Sequence, residues 1–234
     1  MSSAEAAVLL ATLQLADSAF PIGGFVLSHG LETAVHEGRV RSLDQVEAYL
    51  GAVLLGGLSG LDLPVLLSAH RLAGDQEDVE RWDRALLARK PAREPREASR
   101  RVGRALLRAA AVLTDDPRVV SYMRAVEADQ APGLHPVVHG LVAAALGIDG
   151  DTALLVFAHS FLLGGLSAAL RLLSIDHLAA QAALVRLRPA ILRAAARAHA
   201  VAATGDPDAL SGFAPMAELF AMRHERGDAR AFAT

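Results

Sequence analysis

The sequence predicts an all-α protein, a single-domain bundle of about ten helices around a central buried helix. Three observations lead to this prediction. Residues that favour helices (alanine, leucine and arginine) dominate the chain, while aromatic residues make up only 4% of it. The apolar–polar alternation of a half-buried strand extends over no useful length. A chain of 234 residues, of which 53% are hydrophobic, is long enough to bury one large core.

Capping signals place the first helices. Ser2 with Glu5 three residues later forms a capping box, and the helix that it opens runs to about Asp17. Ser42 and Gln45 form a second box. The same capping, proline and glycine signals bound the other helices. These are expected from Ser28 to Gly38, Asp62 to Gly74, Gln76 to Pro91, Glu94 to Leu113, Asp116–Pro117 to Asp129, Pro136 to Gly147, Asp151 to Leu170, Ser174 onward, and Ala214 to Glu225.

Two features of the C-terminal half leave alternatives open. Pro189 either kinks the helix that Ser174 caps or starts a new one. Residues 152–170 contain no charged side chain, so this segment is either a membrane span or a core helix. His159, Ser160 and Ser167 interrupt it, and we therefore expect the central buried helix here and no membrane association.

The composition indicates the domain organisation and the cell compartment. The chain has no cysteine and its first residues lack the basic start of a secretory signal, so a cytoplasmic location is expected. The net charge of −3 provides no global attraction to nucleic acid. Residues 1–227 are expected to form one domain. Residues 228–234 are expected to form a C-terminal tail that becomes ordered mainly on binding a partner.

The segment from Leu13 to Val40 is the most informative. An apolar helical run ends at Asp17–Ser18, and the turn Phe20-Pro21-Ile22-Gly23-Gly24-Phe25 follows. We call residues 20–25 the Phe-Pro turn. Two phenylalanines beside proline and glycine are hard to bury completely, which favours a docking surface over a reaction centre. The short helix after the turn carries Ser28, His29 and Glu32.

The histidines do not predict a tight metal site. His135 and His139 have i, i+4 spacing, but Pro136 makes His135 a loop or capping residue, so the two side chains are not expected to converge. His29, Glu32 and His36 could share one helix face and hold a metal weakly, but we favour an ordinary polar face as the explanation. The sequence also contains no phosphate-binding loop and no nucleophile motif.

Basic residues concentrate between Arg84 and Arg108. No aromatic residues alternate with them for base stacking, which argues against a nucleic-acid site. They could form a solvated helix face, but we favour a basic patch that contacts an acidic partner.

The chain resembles the UreF family of urease accessory proteins. The family pattern Q-L-x-D-S-x-F-P-x-G-x-F-x-x-S-x-G-L-E matches without a gap from Gln14 to Glu32. Further matches occur in family order. They are Glu94, Arg96, Ser99 and Gly103 (E-x-R-x-x-S-x-x-x-G); His135, Pro136, Val137 and Gly140 (H-P-V-x-x-G); Phe213-Ala214-Pro215; and Arg223-His224-Glu225.

The resemblance implies a non-enzymatic adaptor without a cofactor of its own. Such a protein links the scaffold UreD (also called UreH) and the GTPase UreG on apo-urease, where nickel is inserted. It also implies a homodimer, in keeping with the mean hydropathy of +0.32. The tail departs from the family pattern, although Arg230 and Phe232 persist. The expected partner-binding residues are Phe20, Pro21, Gly23, Gly24, Phe25, Ser28, His29, Glu32, Arg223, His224, Glu225, Arg230 and Phe232.

Two other functions are compatible with single features of the chain. A helical enzyme that binds a metal or cofactor would use His29, Glu32 and His36. A helical regulator that binds nucleic acid would use residues 84–108, and its affinity for DNA would depend steeply on salt.

Overall fold

The computed structural model describes residues 1–23 and 28–225. Within these ranges the chain forms eleven α-helices, two short 3-10 helices (Leu58–Gly60 and Pro207–Ala209) and no strand, which confirms the all-α prediction. The helices are α1 (Ser3–Ala16), α2 (Leu31–His36), α3 (Leu43–Gly56), α4 (Asp62–Arg71), α5 (Gln76–Ala88), α6 (Arg93–Leu113), α7 (Pro117–Glu127), α8 (His135–Ala145), α9 (Gly150–Leu172), α10 (His177–Ala203) and α11 (Pro215–His224).

The local capping signals account for most helix starts. The Ser2 hydroxyl accepts a hydrogen bond from the Glu5 amide at 3.2 Å, and the Glu5 carboxylate accepts one from the Ser2 amide at 2.7 Å. The Ser42 hydroxyl similarly accepts from the Gln45 amide at 3.4 Å. These bonds satisfy amide groups that a helix N-terminus would otherwise leave unpaired.

Three predicted helix starts are wrong. The α10 helix is capped by Asp176, not Ser174, because the Asp176 carboxylate accepts from the amide of the third residue beyond it. Residue Ser28 does not begin α2, since His29 and Gly30 both have positive φ angles, 50° and 80°, and the helix starts after them. Residue Asp62 is the first residue inside α4 and pairs with Lys90. Pro189 lies inside α10 without ending it.

Helices α4 and α8 form the innermost layer of the bundle. Most residues of both helices are buried, and Gly140 allows close contact, because a Cβ atom there would lie 2.4 Å from the Leu66 carbonyl oxygen. The predicted central helix, α9, packs beside them and is mostly buried. It has one exposed edge, where Leu155 is 40% exposed, so the centre of the fold is shared by three helices.

The apolar helix α9 is long and apolar enough to cross a membrane. About three fifths of its most apolar window (61%) is buried inside the bundle. That packing is typical of the core helix of a helical bundle.

Another close contact joins α6 to the loop before α8. A Cβ atom on Gly103 would lie 2.0 Å from the Gly133 carbonyl oxygen, so Gly103→Ala must shift backbone. We expect it to lower the free energy of unfolding by about 1–3 kcal/mol. Gly164→Ala is the matched control in α9, because a Cβ there meets nothing within 4 Å. Urea unfolding should show the control to be neutral or stabilised, and an equal loss in both variants would contradict the contact.

Candidate functional site

The Phe-Pro turn begins as the sequence predicts. Helix α1 ends at Ala16, and the Asp17 carboxylate accepts a hydrogen bond from the Ala19 amide at 2.9 Å, which fixes the chain reversal. Phe20 is half-buried, whereas Pro21 and Gly23 are exposed. The next apolar side chain, Ile22, packs against α6. The described part of the turn is therefore a surface feature that is anchored to the core.

Four of the predicted partner-binding residues lie outside the described ranges. They are Gly24, Phe25, Arg230 and Phe232. Their predicted contacts remain predictions, as does the ordering of the 228–234 tail.

Ser28 and His29 point into the fold. The His29 ring packs edge-on against Phe161 with ring centroids 4.8 Å apart, and its carbonyl accepts a hydrogen bond from the Tyr49 hydroxyl at 2.7 Å. Burial lowers the pKa of His29 to about 4, with a smaller contribution from the charge of Lys90. The His29 ring is therefore neutral at physiological pH, and the buried Ser28 lies beside it.

A buried charged cluster joins three distant parts of the chain. The His224 Nε2 atom lies 2.9 Å from a Glu32 carboxylate oxygen, and its Nδ1 atom lies 2.7 Å from a Glu94 carboxylate oxygen. We call these three residues the His224 cluster. The Glu32 and His224 side chains are only 1% and 4% exposed. Each ring nitrogen of His224 is thus within hydrogen-bonding distance of one carboxylate oxygen, and the imidazole bridges the two acids.

The neighbours of His224 extend these connections. A Glu225 carboxylate oxygen accepts a hydrogen bond from the Glu94 amide at 3.1 Å, near the start of α6. The Arg223 guanidinium pairs with Glu37 at 2.7 Å on the surface, where the Arg223 side chain is 56% exposed. Of these predicted partner-binding residues, Glu32 and His224 are thus internal to the fold in this structure, while Arg223 is accessible. Whether any of them contacts a partner stays a prediction.

Other matched family segments also meet in space. The Ser99 hydroxyl accepts a hydrogen bond from the His135 amide at 3.1 Å, which satisfies the N-terminus of α8. One helical turn later, the absence of a side chain at Gly103 lets the Gly133 carbonyl oxygen approach α6 closely. The segments that resemble the family therefore form the contacts of α6 with α8 and of α6 with α11.

A cavity of about 170 Å³ opens between the Phe-Pro turn and helices α6, α8 and α9. Apolar side chains such as Phe20 and Phe157 form most of its wall, and His29 and His135 are at its polar side. The Lys90–Asp62 ion pair closes another part, with a nitrogen–oxygen distance of 2.8 Å. The turn is thus the outer wall of a mainly apolar pocket.

The expectation that His135 and His139 do not converge is wrong. Their ring centroids are 5.8 Å apart, and both rings pack on Phe157 inside the core. Burial lowers the pKa of His139 to about 4 and that of His135 well below its usual range, so both rings are neutral. Prolines at the second position of a helix preserve the helix, which is why Pro136 does not separate the two rings.

The other suggested metal group does not assemble. His29 contacts Phe161, Glu32 contacts His224, and His36 is exposed at the end of α2. Among the described residues no three histidine or acidic side chains are close enough together to hold a metal ion.

The basic segment is largely paired within the protein. Ion pairs join Arg84 to Glu80, Arg89 to Asp208, Lys90 to Asp62, Arg100 to Glu97 and Arg104 to Asp129. Arg93, Arg101 and Arg108 are exposed. The segment is therefore less basic toward solvent than its sequence suggests.

Sequence reasoning did not assign a site role to Glu94, although it matched the residue to a family segment. It also missed Asp83, whose carboxylate accepts hydrogen bonds from Tyr122 and from the Gly133 amide in the core. A hint was available, since Asp83 falls between the core residues Val79 and Leu86 on one face of a helix, where an acid needs partners.

Comparison with known proteins gives one consistent result. The UreF family profile matches residues 40–188, more than half of the chain. Urease accessory protein UreF of Trichodesmium erythraeum is 35% identical over 82% of this chain and 83% of its own length. UreF 1 of Brucella melitensis is 32% identical over 96% of this chain and 92% of its own length. UreF of Chromohalobacter salexigens is 33% identical over 99% of this chain and 97% of its own length. The chain belongs to the UreF family of urease accessory proteins.

Proposed function

We propose that this protein is a non-enzymatic cytoplasmic adaptor that links the UreD/UreH scaffold and the UreG GTPase on apo-urease for nickel insertion. Family membership supports the role in urease maturation. The observation that carries the adaptor role is the His224 cluster. It joins the end of α11 to α2 and α6, and α6 also contacts Ile22 of the Phe-Pro turn. The Phe-Pro turn and residues 226–234 are the two segments that we propose to bind the partners, and we call them together the tail surface.

Burial of the charged groups supports an adaptor over an enzyme. The His224 cluster combines an imidazole with two carboxylates, which is an acid–base set in chemical terms. Its Glu32 and His224 side chains are nearly inaccessible, however, so a substrate cannot reach them without opening the fold. The cluster therefore has a structural role, which is to hold α11 against α2 and α6.

An exposed apolar helix supports a homodimer. Helix α1 has apolar residues on every side, yet Leu15 is its only buried residue. Leu9, Leu10 and Leu13 are 47%, 66% and 59% exposed. A helix that is apolar on all sides is normally covered, and a second copy of the chain could cover it.

Deleting residues 226–234 tests the tail surface. We expect the truncated protein to keep its helical content and its dimeric mass, because the eleven helices and the three residues of the His224 cluster all precede residue 226. It should lose binding to the UreD/UreH scaffold and fail to support nickel activation of urease. Circular dichroism, light scattering and co-purification with the scaffold measure the three properties.

The position of the cut provides the control. Deletion from residue 223 also removes His224 and Glu225, so we expect it to lose stability as well as binding. A comparison of the two truncations separates partner binding from folding. If the shorter deletion assembled the complex with the affinity of the full chain, the tail would not be part of the partner surface.

A further inference from the structure

The outward face of α10 carries an apolar stripe. Its six residues are spaced alternately four and three positions apart, and all are exposed; they are Leu178, Ala182, Val185, Pro189, Leu192 and Ala196. We call this set the α10 stripe. The three large members, Leu178, Val185 and Leu192, are 79%, 51% and 63% exposed. The solvent face of a bundle helix is normally polar, and spacing of this kind is the seam of a helix–helix contact.

The opposite face of the same helix already packs on the core. Buried residues such as Leu184, Leu187 and Ile191 contact the rest of the bundle. The α10 stripe is therefore additional to the contacts that fold the protein. Folding does not explain why large apolar side chains recur on both faces.

The charged residues of α10 beside the stripe are all arginines, of which Arg186 already pairs with Glu47 of α3. At about 100° per residue, Arg188 lies about 80° to one side of the stripe and Arg193 about 80° to the other. Both are exposed and have no ion-pair partner among the described residues. The sequence contains no aspartate or glutamate from His177 to Gly205. The face is thus an apolar seam between two unpaired cations.

We infer that the α10 stripe binds an amphipathic helix of a different polypeptide, with aliphatic side chains at its centre and aspartates or glutamates along its edges. The aliphatic residues would pack against Leu178, Val185 and Leu192, and the acids would pair with Arg188 and Arg193. Such edge charges mainly set specificity and association rate, while the apolar centre supplies most of the affinity.

A second copy of this chain does not fit the same face. Pairing two α10 stripes would bring together two surfaces that both carry unpaired arginines and no acid from α10, which is unfavourable. A lipid surface fits poorly as well. Helices that lie in a membrane interface have broad apolar faces with tryptophan or phenylalanine, whereas α10 contains no aromatic residue other than histidine and its stripe is narrow.

The inference goes beyond the proposed function and uses a different surface. The tail surface consists of the Phe-Pro turn and residues 226–234, and no residue of the α10 stripe belongs to it. A protein that lacks residues 226–234 should therefore still bind a partner through the α10 stripe. An experiment can therefore contradict the α10 inference without contradicting the proposed tail surface, and the reverse.

A photocrosslinker at Leu192 tests the inference. The full chain with benzoylphenylalanine at this position is illuminated together with purified UreD/UreH, UreG, apo-urease and anionic vesicles, and the crosslinked peptide is identified by mass spectrometry. We expect a peptide of another protein with an acidic amphipathic helical pattern. The control places the crosslinker at Val112, which is 86% exposed on α6, and should not capture that peptide.

Charge reversal then tests the recognition chemistry. The double substitution Arg188→Glu and Arg193→Glu should weaken binding of the captured protein by about tenfold or more. The same reversal at Arg101 and Arg108, which are exposed on α6, should leave this binding unchanged. A crosslink from Leu192 to a second copy, to lipid or to a segment without acids would overturn the inference, and so would the absence of any crosslink.

Discussion

Replacing His224 by alanine is expected to lower the free energy of unfolding by about 3–5 kcal/mol, the usual cost of removing one partner from a buried ion pair. The substitution leaves Glu32, which is 1% exposed, without the ring nitrogen that lies 2.9 Å from it. It also removes the contact with Glu94 at 2.7 Å, so both carboxylates lose their hydrogen bond to the imidazole. Loss of these contacts should free the end of α11 from α2 and α6.

The neighbouring residue supplies the control for this prediction. Arg223→Ala removes a surface pair with Glu37 in which the arginine side chain is 56% exposed, and we expect a loss of about 0–1 kcal/mol. Urea unfolding followed by circular dichroism measures both variants under the same conditions. Equal stability of the His224→Ala variant and the parent protein would mean that the cluster does not hold α11 in solution.

Helix positions were predictable because their signals are local. The Ser2–Glu5 and Ser42–Gln45 caps involve residues three positions apart, so the local sequence is sufficient to predict these hydrogen bonds. The start of α10 shows where this reasoning fails. Ser174 and Asp176 are both good capping residues, and only the packing of the preceding loop decides between them.

Burial was less predictable because it depends on residues far apart in the chain. An uncharged segment correctly indicated that α9 is mostly buried, but the position of α4 and α8 at the centre requires knowledge of which helices touch. The tertiary contacts also corrected the histidine pair, which a local argument placed apart.

In the candidate site, too, local features were predictable from the sequence and long-range contacts were not. The motif residues were recognised from sequence, and the start of the Phe-Pro turn was predicted. The pairing of Glu94 with His224 spans 130 positions, and no local pattern predicts it. Charged residues such as Glu32 suggested a surface, since acids are rarely buried without a partner, and the partner was not visible in the sequence.

Replacing Asp83 by alanine should also be strongly destabilising. Its fully buried carboxylate accepts hydrogen bonds from the Tyr122 hydroxyl, from the Gly133 amide at 2.7 Å and from the Leu134 amide at 3.3 Å. Alanine would leave all three donors buried without an acceptor, at about 1–3 kcal/mol for each donor that water does not reach. The loop before α8 would lose its link to α5.

The size of this loss should depend on pH. Burial raises the pKa of Asp83 from 3.8 to about 6, although the hydrogen bonds from Tyr122 and the two amides act in the opposite direction. The folded protein thus holds a proton more tightly than the unfolded chain. The stabilisation from this group is complete below the unfolded pKa, declines as pH rises between the two pKa values and is lost above the folded pKa.

The Asp83→Ala substitution should therefore cost more at pH 5 than at pH 7, by about 1 kcal/mol. Urea unfolding of both proteins at the two pH values measures the difference, and contributions from other titrating groups cancel in the comparison. Asp78→Ala, which removes a half-exposed acid of the same helix, is the control at both pH values and should cost little. A cost that was equal at the two pH values, or larger at pH 7, would mean that Asp83 is ionised in the folded core throughout this range. Its hydrogen bonds with Tyr122 and the two amides would then outweigh the cost of burying its charge.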